Sequence, residues 1–147
     1  MNTQSHAKHP SEKMESLIGQ LRKEQASCVI YAQGATQLFR ERGVKDLFRL
    51  LKEEPEWLRG ALVADKVVGK GAAALMVLGG VEELYSEVIS RPALELLERY
   101  RVTVTYGTLV EQISNRTQTG PCPIESRCSG CQTPEECLRK IEEFILS

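Results

Sequence analysis

Four of the five cysteines, Cys122, Cys128, Cys131 and Cys137, crowd into one segment near the C-terminus. Cys128 and Cys131 are separated by two residues, the usual spacing of a structural zinc knuckle, and four thiolates are the number such a site needs. The outer spacings, five residues on either side, are not standard for zinc. An iron–sulfur cluster also wants four thiolates, but its familiar runs differ from this one. Three readings of the tail stay open: a metal site, a redox pair, and incidental thiols partly facing a core. Cys122 lies between Pro121 and Pro123, at what reads as a helix start. Unpaired N–H groups there favour a thiolate, while nearby Glu125 opposes one. On balance Cys122 is expected to be thiolate-like, either as a metal ligand or as the best candidate catalytic nucleophile. Cys28, inside a β-prone run, is expected to be a core residue.

A second group of chemical side chains follows the apolar run Ala61-Leu62-Val63-Ala64, which reads as a strand buried on both faces. Asp65 and Lys66 come directly after it, with Lys70 about one turn on. Ser90 ends the next strand, and the third strand leads through Tyr106 towards Asn115 and Arg116. Ligands of open α/β sheets bind outside the carboxyl ends of strands, so these residues are candidate ligand contacts. Two lysines and an arginine near helix N-termini suit a small anionic ligand, a phosphate or carboxylate. The plainer alternative makes Asp65 a helix cap and the basic residues a solvated face. Gly69 and Gly71 do not form a phosphate-binding glycine loop.

The elements that must position these residues are legible in outline. Ser11 caps an amphipathic helix to Lys23, with Met14, Leu17, Ile18 and Leu21 on one stripe. Residues 27–31 and 35–39 form a hairpin around Gln33-Gly34. A helix spans Val44 to Leu51, and Val67 to Leu78 reads as a small-residue helix stopped by Gly79-Gly80. Leu84 to Ile89 is a strand, Pro92 to Tyr100 a helix, Val102 to Tyr106 a strand, and Leu109 to Ile113 a short helix. Thr133-Pro134-Glu135-Glu136 is a capping box opening the last helix. The fold class is α/β, a three-layer α-β-α sandwich around a central mixed sheet, with a hairpin before the strand–helix alternation. Three regions are expected: a polar tail over 1–10, an α/β domain over 11–126 and a cysteine-bearing helical extension over 127–147.

The chain has 147 residues, enough for one core, and a net charge of -1 with 19 basic and 20 acidic groups. That balance gives no field for nucleic acid or anionic membrane. Residues 1–10 lack the apolar stretch of an export signal, so a cytoplasmic, reducing setting is expected. His6 and His9, in that polar tail, read as solvated rather than as a two-histidine metal site. The residues do not indicate an oligomeric state.

The stretch from Ala64 through Gly71 to Ala74, with Gly79-Gly80-Val81, Ser86-Glu87-Val88-Ile89-Ser90, Asn115-Arg116 and Thr119-Gly120-Pro121-Cys122-Pro123-Ile124-Glu125, resembles the uncharacterised prokaryotic family called domain of unknown function 1893. The resemblance runs from about Ser27 to Glu125. It implies a cytidine-deaminase-like fold and marks Asp65, Lys66, Lys70, Asn115, Arg116, Cys122 and Glu125 as family motif positions, Cys122 as the catalytic candidate and the others as ligand-binding ones. Zinc deaminases need a His or Cys followed by Glu at one helix start, and Pro-Cys-x-x-Cys at the next. The corresponding segments here, Asp65-Lys66-Val67-Val68 and Ser90-Arg91-Pro92-Ala93, supply no Cys or His. A zinc deaminase is therefore not expected. The expectation is a binding or catalytic module for a small anionic, nucleotide-like ligand, with a thiol- or metal-dependent sensor built on the tail as the alternative.

Overall fold

A computed structural model describes residues 9–41, 44–114, 120 and 122–146. Ser11 opens α1 (Glu12–Lys23) as expected, its Oγ accepting from the Met14 N–H. Ser11 is also pinned to the sheet: its N–H and Oγ both donate to the buried Glu83 carboxylate. Ser11→Ala should cost about 1–2 kcal/mol, because it removes a cap and one partner of a buried carboxylate. A urea-unfolding shift below about 0.3 kcal/mol would contradict this assignment.

The hairpin pairs β1 (Cys28–Ala32) with β2 (Ala35–Phe39). Gln33 and Gly34 at its turn both take positive φ, 54° and 81°, as the tight mirror-image turn requires. After α2 (Lys45–Glu53) and a 3-10 turn at Pro55–Trp57 come β3 (Leu62–Val68), α3 (Lys70–Gly79), β4 (Glu83–Ser90), α4 (Arg91–Arg99) and β5 (Thr103–Val110). The chain finishes with α5 (Pro123–Cys128) and α6 (Pro134–Leu146). The sheet order is β2-β1-β3-β4-β5; β1 is antiparallel to both neighbours, and β3, β4 and β5 are parallel.

Two element boundaries differ from expectation. Val67 and Val68 belong to β3, not to the helix, because they pair with Val88 and Ile89; Gly69 becomes the N-cap of α3. Asp65 and Lys66 are therefore strand residues rather than a helix start. Leu109 and Val110 likewise continue β5 instead of starting a helix, through pairing with Ile89 and Ser90.

The helices divide unequally between the sheet faces. Among the described residues, α1 alone covers one face, packing Met14, Leu17 and Leu21 with Val29, Ala64 and Tyr85. The larger core lies on the other face and joins α2, α3, α4, α5 and α6 to Ile30, Val63, Leu84 and Val104. Val68, Ile89 and Leu109 pack in that same core, five residues along from Val63, Leu84 and Val104. Strict alternation would send them to the opposite face. Each parallel strand thus changes phase once, at the row Lys66, Glu87 and Gly107, where the ladder pairing is interrupted. Gly107 permits the step, since a Cβ there would stand 3.0 Å from the Glu87 carbonyl oxygen. Polar side chains brace it: Ser86 Oγ donates to the Val88 carbonyl at 2.6 Å, and Asp65 Oδ1 accepts from the Val67 N–H at 3.3 Å.

The C-terminal helices are integral to this core, not an extension of it. Ile124, Cys128, Cys137 and Ile141 are buried with α3, whose small residues let the helices approach. A side chain at Gly71 would run into Ile124 and stand 3.3 Å from Ile141 Cδ1.

Candidate functional site

The antiparallel register of β1 and β3 sets Cys28 directly across from Asp65. Both border a cavity of about 410 Å³ between the sheet edge and α2, with Phe39, Arg40, Asp46 and Lys66 among its walls. Burial raises the Asp65 carboxyl to about 7, although the Val67 N–H donates to it at 3.3 Å and the nearby Lys66 N–H and Cys28 thiol also favour its charged form. The Cys28 thiol is pushed well up, first by burial and then by the Asp65 charge. Asp46 is also raised, by burial and then by the neighbouring Glu41 charge. Arg40 is shared with Glu24, at 3.5 Å from its carboxylate. The cavity therefore mixes carboxylates with two basic groups and is not a basic anion trap. It offers one half-buried carboxyl that changes charge near neutral pH, with the exposed Lys66 beside it.

Lys70 does not share this cavity, because it starts a helix instead of lying one turn beyond Asp65. Its backbone N–H donates to Glu125 Oε1 at 2.6 Å, and Glu125 Oε2 accepts from the Ile113 N–H at 3.3 Å. A buried carboxylate of the chain itself thus occupies the N-terminus of α3, where an external anion was expected. The Lys70 ammonium turns the other way and donates to the Cys131 carbonyl at 2.6 Å and the Ser129 carbonyl at 3.4 Å. The pair is reciprocal: Glu125 of α5 caps α3, and Lys70 of α3 caps the end of α5.

Lys70 thereby stands against the cysteine tail, which is only partly assembled. The Cys137 thiol interacts electrostatically with those of Cys128 and Cys131, and Cys128 Sγ donates to the Cys137 carbonyl at 3.9 Å. Cys122 instead forms the N-cap of α5, half-buried against the core, with its N–H donating to the Ile113 carbonyl at 2.8 Å. Among the described residues, no group of three or more His, Cys, Asp and Glu side chains is arranged to hold a metal ion.

Residues 16–145 match the model of the family described as domain of unknown function DUF1893. The chain belongs to this family. The match takes in α1 from Ser16 onward and the three clustered cysteines, beyond the motifs between Ser27 and Glu125 that carried the resemblance. A solved DUF1893 family protein from Thermotoga maritima superimposes with a TM-score of 0.83 at 26% identity, over 92% of each chain. No curated protein matches the chain. Among the described residues, no helix is long and apolar enough to cross a membrane.

Against this DUF1893 framework, the structure brings Asp65 and Lys66 together and places Lys70 and Glu125 in a separate helix clamp. Ser90 is fully buried, with its Oγ accepting from the Ala93 N–H as the cap of α4. Asn115 and Arg116 lie outside the described residues. Cys28, expected in the core, is buried and also borders the cavity. Its register opposite Asp65, given the hairpin and β3, was the signal that could have found it.

Proposed function

We propose that this protein binds a small nucleotide-like ligand in the cavity between β1, β3 and α2. The observation that carries the reading is the half-buried Asp65 carboxyl, raised to about 7, bordering that cavity beside Lys66. Near neutral pH such a group serves as both donor and acceptor, which matches the adjacent donors and acceptors of a base edge. Lys66, exposed at the rim, suits a phosphate as a point charge. A cavity of about 410 Å³ suits a ligand of this size. The helix starts Gly69-Lys70-Gly71 and Ser90-Arg91-Pro92 carry no Cys or His, so the reading does not extend to zinc-dependent deamination.

A thermal-shift panel of nucleosides and nucleoside monophosphates provides the test. At about 100 times its Kd, a ligand adds about 2.7 kcal/mol, a shift of several degrees for a domain this size. Lys66→Glu should weaken the monophosphates while sparing the nucleosides, and Asp65→Asn should remove the pH dependence of binding between 6 and 8. Absence of a shift with any panel member at millimolar concentration would refute the reading.

A further inference from the structure

We propose that Cys128, Cys131 and Cys137 form a thiol–disulfide exchange site that accepts a small, carboxylate-bearing disulfide. Three observations meet there. The first is proximity: the Cys137 thiol interacts with each of the other two, and Cys128 Sγ lies 3.9 Å from the Cys137 carbonyl oxygen. The second is a graded path inward: Cys131 borders a cavity of about 470 Å³, while Cys128 and Cys137 lie behind it, 0% exposed. The third is charge. The cavity wall carries Arg127, Arg139 and Lys140 against Glu136 and Glu143. Glu136 is already committed to the Gln132 N–H at 2.7 Å, and behind the thiols the Lys70 ammonium rests on the Cys131 carbonyl.

The Lys70 charge favours the thiolate at each of the three cysteines. Cys128 is held below the usual thiol value, first by its interaction with Cys137, whereas Cys131 is raised first by burial and Cys137 first by its interaction with Cys128, which keeps the proton on Cys137. Cys128, fully buried, is thus the readiest nucleophile, and Cys131, at the cavity, is the one a reagent can reach.

The exchange runs in three steps. Cys131, its proton lost to water, attacks one sulfur of RSSR; a Cys131–S–S–R bond forms and RS⁻ leaves, taking up a proton. Cys137 then attacks the Cys131 sulfur, its proton passing to the second departing RS⁻. Finally Cys128 attacks the Cys137 sulfur, forming the Cys128–Cys137 bond and returning Cys131 to a thiol with the proton Cys128 gave up. The net change converts RSSR and two protein thiols into one protein disulfide and two RSH, with two electrons passing to the small disulfide. Lys70 is a positioning residue for this site and touches no reacting atom.

The reduced full chain, exposed separately to oxidised glutathione and to cystamine, decides the matter by quenched mass mapping of its cysteines. Oxidised glutathione should react faster by about tenfold at low ionic strength, and the gap should shrink in high salt. The final product should be the Cys128–Cys137 bond. Cys131→Ser should block entry, Cys137→Ser should trap the mixed disulfide on Cys131, and Cys128→Ser should stop at Cys131–Cys137. Lys70→Gln should move the pH profile of the reaction upward. Equal rates with the two reagents, or the same protein disulfide formed in Cys131→Ser, would overturn the proposal. The comparison of reagents on the unmodified chain needs no variant to fold.

Discussion

Glu125→Ala should destabilise the fold by about 3–5 kcal/mol, because it removes two charge-assisted hydrogen bonds at one buried site. One carboxylate oxygen takes the first N–H of α3 and the other takes the Ile113 N–H. Alanine leaves both donors without this partner and opens space beside Gly69, whose Cβ position is only 2.8 Å from Glu125 Oε1. Glu125→Gln should recover roughly half of the loss, since an amide presents one acceptor oxygen where the carboxylate presents two. Urea unfolding followed by circular dichroism measures both variants. A Glu125→Ala protein within about 1 kcal/mol of the parent would show that the clamp contributes little.

Asp65→Asn should stabilise the protein at pH 8, by roughly 2 kcal/mol, and leave it unchanged at pH 4. The Asp65 carboxyl moves from an ordinary 3.8 to about 7 on folding, chiefly through burial. The folded state therefore holds the proton more tightly than the unfolded chain. The stability this group contributes is complete below about 4, falls as pH rises towards 7, and stays lost above it. Asparagine carries no charge at any of these values and keeps an oxygen for the Val67 N–H. The difference between parent and variant isolates this residue from the other carboxylates, which titrate in both proteins. A difference that does not change between pH 4 and pH 8 would rule out the raised carboxyl.

Where an element depended on neighbours in sequence, its residues announced it. The stripe from Met14 to Leu21, the Gln33-Gly34 turn and the Thr133 cap are all present, the last with Thr133 Oγ1 accepting from the Glu136 N–H at 3.2 Å. Where it depended on pairing across the sheet, local pattern misled. Val67-Val68 before an alanine-rich run resembles a helix start, but a parallel partner in β4 makes it the end of a strand. The same pairing carries β5 past Gly107, a residue that on local grounds marks a stop.

The candidate site divides in the same way. Asp65 and Lys66 were legible because a buried apolar run delivers charge at its end, a relation among adjacent residues. That Asp65 faces Cys28, that Glu125 rather than a ligand takes the N-terminus of α3, and that Lys70 serves the thiols all required the packed chain. The sequence by itself determined the α/β class, the caps of the first and last helices, the hairpin and the number of thiols, because propensity, periodicity and capping act over a few residues. Only the tertiary structure decided which charges are consumed internally and which thiols meet. Glu125 and Lys70 are 55 residues apart, and Lys70 and Cys131 are 61. Contacts at that separation are chosen by how the buried faces of α3, α5 and α6 fit together, and no local pattern encodes that fit.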